Sequence, residues 1–332
     1  MPLQPTCPFC DGARAEETLR VTEMMYGTGE TFTYVPCATC GTVWLPDVPD
    51  DLGPYYPGDY YSVDLDPERV LGRPGVRQLA STVARSVLFG SGRVAATARR
   101  VVRMRQFHSY VTVLEGIAVA GMPRGRSTRV LDVGCGSGLM VYALALAGVR
   151  EPVGIDPFAP TDRVFDNGAR VLRRELADVE GTFDLVMFHH SLEHVPDPAA
   201  SLSLALDKLA PGGRILTRMP TVSGEAYELY GTDYYGLDAP RHLAVPSRAG
   251  VEAVADRVGL RVVSVRDDSF SAQFWASEQV RRGVPLMSPH SHMVDEKASV
   301  FSPAEITAWA ERATQLNATS RGDQAAWVLE RA

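Results

Sequence analysis

A strand that runs directly into a glycine turn constrains the fold of this 332-residue chain more than any other feature. Residues 130–138 read VLDVGCGSG, and a helix-forming segment follows. Glycine adopts positive φ and lets a ligand approach bare backbone, so such a turn predicts a ligand site in an α/β fold. The spacing is G-x-G-x-G, with Asp132 two residues before Gly134. A carboxylate at that position would repel a pyrophosphate but suits an ammonium group.

A second acid lies at the end of the next predicted strand, where Val153-Gly154-Ile155 is followed by Asp156. A carboxylate in this position can accept hydrogen bonds from both hydroxyls of a ribose. An amino acid joined to an adenosine describes S-adenosylmethionine. The two acids and the glycine turn therefore predict a site for this cofactor.

After Arg129 the chain alternates strand and helix patterns, as a mainly parallel sheet requires. The predicted strands are 129–133, 152–155, 170–172, 183–188, 214–219, 260–265 and 324–329. The predicted helices include 139–147, 199–209, 248–258 and 303–314.

With VLDVGCGSG, the segments FDLVMFHHSLEHVPDP and LAPGGRIL make residues 107–332 resemble class I S-adenosylmethionine-dependent methyltransferases. The resemblance implies an α/β, Rossmann-like fold with a seven-stranded, mostly parallel sheet of order 3-2-1-4-5-7-6, its last strand antiparallel. It also implies which residues contact the cofactor. Gly134, Gly136 and Gly138 would line its methionine and ribose parts, and Asp156 would hold the ribose. Glu175 or Leu176 would lie near the adenine. Phe188 and His189 would face the sulfonium.

Four of the five cysteines form two CxxC pairs, Cys7 with Cys10 and Cys37 with Cys40, separated by 26 residues. Four thiolates close a tetrahedral zinc site that has no open position, so we expect a structural Zn²⁺, with free or redox-active thiols as the alternative. The expected domains are a zinc ribbon over 1–48, a linker and helical lid over 49–110, and the methyltransferase domain over 111–332. Acceptor-side insertions are expected at 220–247 and 267–321.

Histidines close to the fourth predicted strand are candidates for catalysis, together with one in a later loop. His190, His194 and His242 are each a candidate base for an alcohol acceptor. The ubiquinone-pathway O-methyltransferases have Glu-x-x-Glu-His here, in residues linked to a divalent metal. This chain keeps Glu193 and His194 but has His190 at the first position, so a divalent metal at these three residues is the alternative. A structural role, or a carboxylate base at Asp233 or Asp238, also stays open.

The net charge of −7 argues against a surface that neutralises many phosphates, and residues 1–48 contain only two cations, Arg14 and Arg20. The chain shows neither a signal peptide nor an apolar run of about 20 residues, so we expect a cytoplasmic protein without a membrane span. A small-molecule acceptor is expected, nucleic acid is not, and a homodimer is an option.

The order of ribbon, linker and methyltransferase resembles bacterial enzymes that act on sugars or natural products. The resemblance implies methyl transfer to a hydroxyl, in preference to a carbon, of a sugar-like or secondary-metabolite molecule. An RNA methyltransferase with a zinc ribbon and a non-catalytic cofactor-binding protein are the alternatives.

Overall fold

A central mixed sheet organises the computed structural model, which describes residues 5–57, 65–89, 114–118, 120 and 127–332. The strands are β1 (Leu19–Thr22), β2 (Thr31–Pro36), β3 (Val43–Trp44), β4 (Val130–Val133), β5 (Val153–Ile155), β6 (Arg163–Val164), β7 (Arg170–Leu172), β8 (Phe183–His189), β9 (Leu209–Pro220), β10 (Ala244–Val245), β11 (Leu260–Asp267) and β12 (Gln324–Arg331). The helices are α1 (Pro67–Leu71), α2 (Pro74–Phe89), α3 (Leu139–Ala147), α4 (Pro198–Asp207), α5 (Glu225–Tyr230), α6 (Arg248–Arg257), α7 (Ala272–Arg281) and α8 (Pro303–Ala318).

The order of the central sheet is β11-β12-β9-β8-β4-β5-β7-β6. The strands from β9 to β7 pair in parallel, and β12 runs antiparallel to both of its neighbours. This confirms the predicted order 3-2-1-4-5-7-6. One correction concerns the number of strands, because β6 adds an eighth within the described part of the chain. With two residues paired across a short turn, β6 is too short for a periodic pattern to predict it.

Helices cover both faces of this sheet, and β8 shows how the sequence directs its side chains to them. Leu185 and Met187 pack in a cluster with α2 and α3, whereas Val186 and Phe188 pack in a cluster with α4 and α6. Successive strand residues point to opposite faces, so an unbroken apolar run such as this one suits a strand that is buried on both sides.

A second, smaller sheet links the N-terminal segment to the main domain. Its order is β1-β2-β3-β10, so β10, from residues 244–245, completes a sheet whose other three strands come from the N-terminal segment. The side chains of Cys7, Phe9 and Trp44 belong to the same core cluster as those of α6. The boundary predicted at residue 48 therefore lies within a shared hydrophobic core.

Most predicted elements in the main domain appear within a few residues of their expected ends. The observed α3 matches its prediction, and α8 extends four residues past its predicted end. The insertions contain two helices that were not predicted, α5 and α7. Part of the predicted helical lid appears as α1 and α2, while 58–64 and 90–113 lie outside the described residues.

Among the helices that can be described, none has both the length and the apolar character that crossing a membrane requires.

Candidate functional site

The glycine turn joins β4 to α3 at the carboxyl edge of the central sheet. Gly134, Gly136 and Gly138 all have positive φ, between 52° and 80°. A Cβ on Gly134 would lie 2.6 Å from the Cβ of Ser191, and one on Gly138 would lie 2.4 Å from a methyl carbon of Val171. The turn therefore needs glycine for its conformation and for its close approach to β7 and to the segment after β8.

Asp156 fastens this turn to the end of β5. Its Oδ2 accepts a hydrogen bond from the amide of Gly136 at 2.9 Å, and its Oδ1 accepts one from the amide of Phe158 at 2.9 Å. Each carboxylate oxygen can accept a second hydrogen bond, so the held carboxylate retains capacity for two ribose hydroxyls.

Asp132 is buried in β4, and its Oδ1 has no hydrogen-bond partner in the described part of the chain. Burial raises the pKa of this carboxyl to about 8, and the nearby charge of Asp156 adds to the effect. A buried acid without a partner is costly, and a ligand's ammonium group would satisfy it. This orphaned oxygen fits the amino-acid end of S-adenosylmethionine.

The other residues predicted to contact the cofactor differ in the access they offer. The side chain of Leu176 is in the core, and Glu175 is exposed beside it. The ring of Phe188 is also in the core, whereas His189 is half-buried, with its Nε2 3.4 Å from Nη1 of Arg218. Of these four, Glu175 and His189 thus offer a side chain outside the apolar core.

Three side chains beyond β8 bring their ligand-type atoms within 4.8 Å of one another: Glu193, His194 and His242. Glu193 is fully buried, and its Oε2 has no partner among the described residues. The two imidazole rings meet edge to face, with centroids 4.7 Å apart. We call these three residues the His–Glu cluster.

Backbone carbonyls determine which ring nitrogen is protonated in both histidines of the cluster. Nδ1 of His194 lies 2.8 Å from the carbonyl oxygen of Arg241, and Nδ1 of His242 lies 2.8 Å from that of Gly236. A nitrogen that faces a carbonyl oxygen must donate, so in the neutral form of each ring the lone pair is on Nε2. Burial, together with the neighbouring His242, lowers the pKa of His194 to about 4. In their neutral forms the two rings thus present Nε2 lone pairs beside a carboxylate, and carbonyl-bound Nδ1 atoms are common behind metal-ligating histidines.

His190 is not part of this cluster, so the predicted set of His190, Glu193 and His194 needs correction. Residues 192–194 form a 3₁₀ turn instead of the helix that would have placed these three side chains on one face. The ring of His190 contacts Arg218 through Nε2, and its Nδ1 lies 3.2 Å from Oε1 of Glu193. In the structure His242 takes the position that the prediction gave to His190.

The carboxylates considered as bases are both in ion pairs. Asp238 binds the guanidinium of Arg241 through both oxygens, at 2.6 and 3.0 Å. Asp233 lies 3.5 Å from Arg281 near the surface. Arg241 itself is fully buried and also donates to Glu23 at 2.9 Å and to the carbonyl oxygen of Tyr55 at 3.1 Å. It fastens the loop that carries His242 to the N-terminal segment.

The four cysteines of the CxxC pairs converge, as their spacing predicts. The Sγ atoms of Cys7 and Cys40 are 3.7 Å apart, and those of Cys10 and Cys37 are 3.4 Å apart. A tetrahedral Zn²⁺ with Zn–S bonds of about 2.3 Å requires sulfurs about 3.8 Å apart. The geometry therefore fits a closed Cys₄ zinc site, and Cys135 lies apart from it in the glycine turn.

Arg218 and Asp268 form a buried pair at 2.5 Å behind His190 and were not predicted from the sequence. Phe158, whose side chain is 86% exposed two residues after Asp156, was not predicted either. An aromatic residue this close to the predicted ribose ligand could have been noticed in the sequence. The pairing of Arg218 with Asp268 depends on the fold and leaves no local pattern.

Comparisons with known proteins relate the chain to methyltransferases. A family profile described as "Methyltransferase domain" matches residues 103–265. The chain is 33% identical to the ubiquinone biosynthesis O-methyltransferase of Azotobacter vinelandii over 156 residues, which cover 40% of this chain and 67% of that protein. It is 30% identical to the Stutzerimonas stutzeri protein of the same name over 171 residues, which cover 44% of this chain and 71% of that protein.

Against several other proteins of that name, the chain spans about half of their length. Among solved structures, the chain is similar to an S-adenosylmethionine-dependent methyltransferase from Mesorhizobium loti, with 18% identity and a TM-score of 0.42. That alignment covers 68% of this chain and 100% of the other.

Proposed function

Since the chain belongs to the class I S-adenosylmethionine-dependent methyltransferases, we propose that it methylates a hydroxyl group of a sugar-like or secondary-metabolite small molecule. Bound S-adenosylmethionine supplies the methyl group as an electrophile, which leaves the protein to align and deprotonate the acceptor. The relatives are named as O-methyltransferases, which supports oxygen over carbon as the methylated atom.

The His–Glu cluster is the observation that carries this proposal. It lies next to the glycine turn, because Ser191 packs against Gly134 and donates to the carbonyl oxygen of Val133 at 2.6 Å. A hydroxyl becomes a good nucleophile only as it loses its proton. The Nε2 atoms of His194 and His242 and the free oxygen of Glu193 can accept that proton.

The same three groups fit a divalent cation. Two imidazole nitrogens and one carboxylate form a set that first-row transition metals favour over Mg²⁺. A cation held there would act as a Lewis acid that lowers the pKa of an acceptor hydroxyl. In the base form one of Glu193, His194 and His242 accepts the proton directly, and in the cation form all three would hold the cation that the hydroxyl approaches.

Methyl-labelled S-adenosylmethionine, incubated with cell extract that has been separated into RNA and small molecules, tests the acceptor class. We expect label in the small-molecule fraction, since the net charge is −7 and residues 1–48 offer only two cations for phosphates. Label in RNA alone would support an RNA methyltransferase. If the protein binds S-adenosylhomocysteine but transfers no label to either fraction, the result would support a non-catalytic cofactor-binding protein.

Single replacements of the cluster test its role. We expect Glu193→Gln, His194→Gln and His242→Gln each to lower kcat, by about 10²–10⁴-fold where the residue accepts the proton. Cofactor affinity by calorimetry should stay unchanged. The exposed His290 gives a matched control, His290→Gln, which should keep full turnover.

A chelator separates the two forms of the proposal. If a cation assists, dialysis against chelator abolishes turnover and added Mn²⁺ restores it; if a histidine is the base, turnover survives. Full turnover of all three cluster variants, together with no effect of chelator, would refute both forms.

A further inference from the structure

A buried chain of polar side chains connects the sheet interior to the His–Glu cluster. It begins at Asp268, whose Oδ2 accepts from Nε of Arg218 at 2.5 Å. Nη1 of Arg218 contacts Nε2 of His190, and Nδ1 of His190 lies 3.2 Å from Oε1 of Glu193. The mechanism proposed above uses Glu193 but none of the other three residues.

The side chain of Arg218 is enclosed and paired with Asp268, so it is not placed to contact an acceptor directly. Its side chain is 6% exposed and that of Asp268 is 4% exposed, so the guanidinium is enclosed and already neutralised. The helical segment 114–118 covers the pair: a Cβ on Gly116 would lie 3.6 Å from Asp268 Oδ2 and 3.9 Å from Arg218 Cδ. The guanidinium side that is not bound to Asp268 faces the two histidines at the end of β8.

The donor and acceptor of each hydrogen bond from Arg218 through His190 to Glu193 can be assigned. A guanidinium can only donate, so Nε2 of His190 must accept. In a neutral imidazole the proton is therefore on Nδ1, which donates to Oε1 of Glu193. This bond uses one carboxylate oxygen and leaves Oε2, the buried oxygen that has no partner among the described residues.

The backbone supports the same arrangement. His190 has a φ of 51°, a conformation that non-glycine residues seldom adopt, and its amide donates to the carbonyl oxygen of Arg218 at 2.7 Å. Main chain and side chain of His190 are thus both held by Arg218. Such a conformation persists only where the surrounding structure holds it in place.

We propose that Arg218 is a positioning residue that acts through His190 to orient Glu193, so that Oε2 is presented to the His–Glu cluster. The proposal rests on the proposed function of that cluster as a cation site. Groups behind a metal ligand fix its orientation, and their replacement commonly costs 10–100-fold in metal affinity.

Two replacements of His190 form the central test. Asparagine can accept from Arg218 and donate to Glu193, whereas leucine can do neither. The readout is Mn²⁺ binding by electron paramagnetic resonance on protein whose cysteines are saturated with zinc. We expect His190→Leu to bind Mn²⁺ about 10–100-fold more weakly than the wild type, and His190→Asn to recover most of that loss.

Replacement of Arg218 tests the step before His190. Arg218→Met should weaken Mn²⁺ binding as His190→Leu does, with the affinity for S-adenosylhomocysteine unchanged. Because Asp268 would be left buried and unpaired, the double variant Arg218→Met/Asp268→Asn is measured beside it. Arg214→Met is the matched control: Arg214 lies on the same strand but pairs with Glu330 at 3.5 Å, and we expect wild-type Mn²⁺ affinity.

The outcomes separate this inference from the proposed function. If Glu193→Gln abolishes Mn²⁺ binding but His190→Leu and the Arg218 variants bind like the wild type, the positioning role is refuted and the cation site stands. If the wild type binds no Mn²⁺, the inference fails together with the cation form of the proposed function, while turnover of the cluster variants still tests the base form.

Discussion

At the scale of one residue, Asp132 shows how a preformed binding site can lower the stability of the ligand-free protein. The carboxyl is buried in β4, its Oδ1 has no partner among the described residues, and burial raises its pKa to about 8. Because the folded pKa lies above the unfolded value of about 3.9, this group destabilises the free protein increasingly as pH rises from about 4 to 8. A bound ammonium group would remove that cost.

The affinity for S-adenosylhomocysteine should therefore depend on pH. Below about pH 8 the free protein holds Asp132 protonated, and the ammonium group favours the carboxylate, so binding releases a proton. We expect affinity to rise from pH 6 to pH 8, by at most tenfold per pH unit. Calorimetry in two buffers of different ionisation enthalpy measures both the affinity and the proton release.

Asp132→Asn is the control for this pH dependence, because an amide does not titrate in this range. The variant should bind S-adenosylhomocysteine more weakly than the wild type at pH 8. Its affinity should also lack the pH dependence that titration of residue 132 causes. A wild-type affinity that is flat from pH 6 to pH 8, with no proton release, would contradict the assigned role of Asp132.

Residues whose proposed chemistry follows from local spacing can be recognised in the sequence. The acid before the glycine turn, Asp156 after β5 and the four cysteines are all recognisable within a few positions. His242 was proposed as a base, but its meeting with Glu193 and His194 depends on a loop that returns to the sheet edge from a later part of the chain. No local pattern carries that information.

At the scale of elements, the loop that carries His242 depends on one buried cation. Arg241 is enclosed with Glu23 and Asp238, and it also binds the carbonyl oxygen of Tyr55. Glu23 in turn accepts from three amides of its own hairpin, at 2.9–3.0 Å. The loop and the hairpin therefore share a single network of buried charges.

Arg241→Ala should destabilise the protein strongly, because it leaves two carboxylates buried without their cation. Breaking a buried pair in this way commonly costs about 3–5 kcal/mol. Arg261→Ala removes a cation from an exposed pair with Glu330 and should cost about 1 kcal/mol or less. Urea denaturation measures both, and equal losses in the two variants would contradict the importance of the buried network.

The elements that the sequence predicted well are those with a long periodic pattern, such as β8, α3 and α8. Those it missed are short or depend on tertiary contacts. α5 has six residues, and the turn at 192–194 is followed by the extended Val195 before a proline. A helix through His190 and His194 was a reasonable reading of the i, i+3, i+4 spacing, but the chain leaves the helical conformation too soon.

At the scale of the whole molecule, the cysteine-rich N-terminal segment and the methyltransferase domain share one hydrophobic core. Side chains of Cys7, Phe9 and Trp44 pack with those of α6, and Arg257 at the end of α6 donates to the carbonyl oxygen of Phe9 at 3.0 Å. The predicted order of the main sheet could be carried over from the family. The pairing of β3 with β10 could not, because two-residue strands carry no pattern of their own.

Loss of zinc should therefore weaken the entire protein. We expect one zinc per chain by elemental analysis, and we expect Cys10→Ser to lose it and to unfold at a lower temperature in a single transition. Cys135→Ser is the matched control, since Cys135 lies outside the Cys₄ group, and should keep its zinc. Full zinc content in Cys10→Ser, or a separate early transition for the ribbon alone, would contradict this expectation.

The strand β10, which completes the smaller sheet, is synthesised late during translation. β3 pairs with β10, and Ser247 just after β10 donates to the carbonyl oxygen of Cys40, 207 positions earlier. At about 5–20 residues per second, a ribosome needs roughly 10–40 s to add that length of chain. Throughout this interval Phe9 and Trp44 lack the α6 side chains that bury them. The nascent N-terminal segment therefore spends tens of seconds with apolar surface open to chaperones or to aggregation, however early its four cysteines come together.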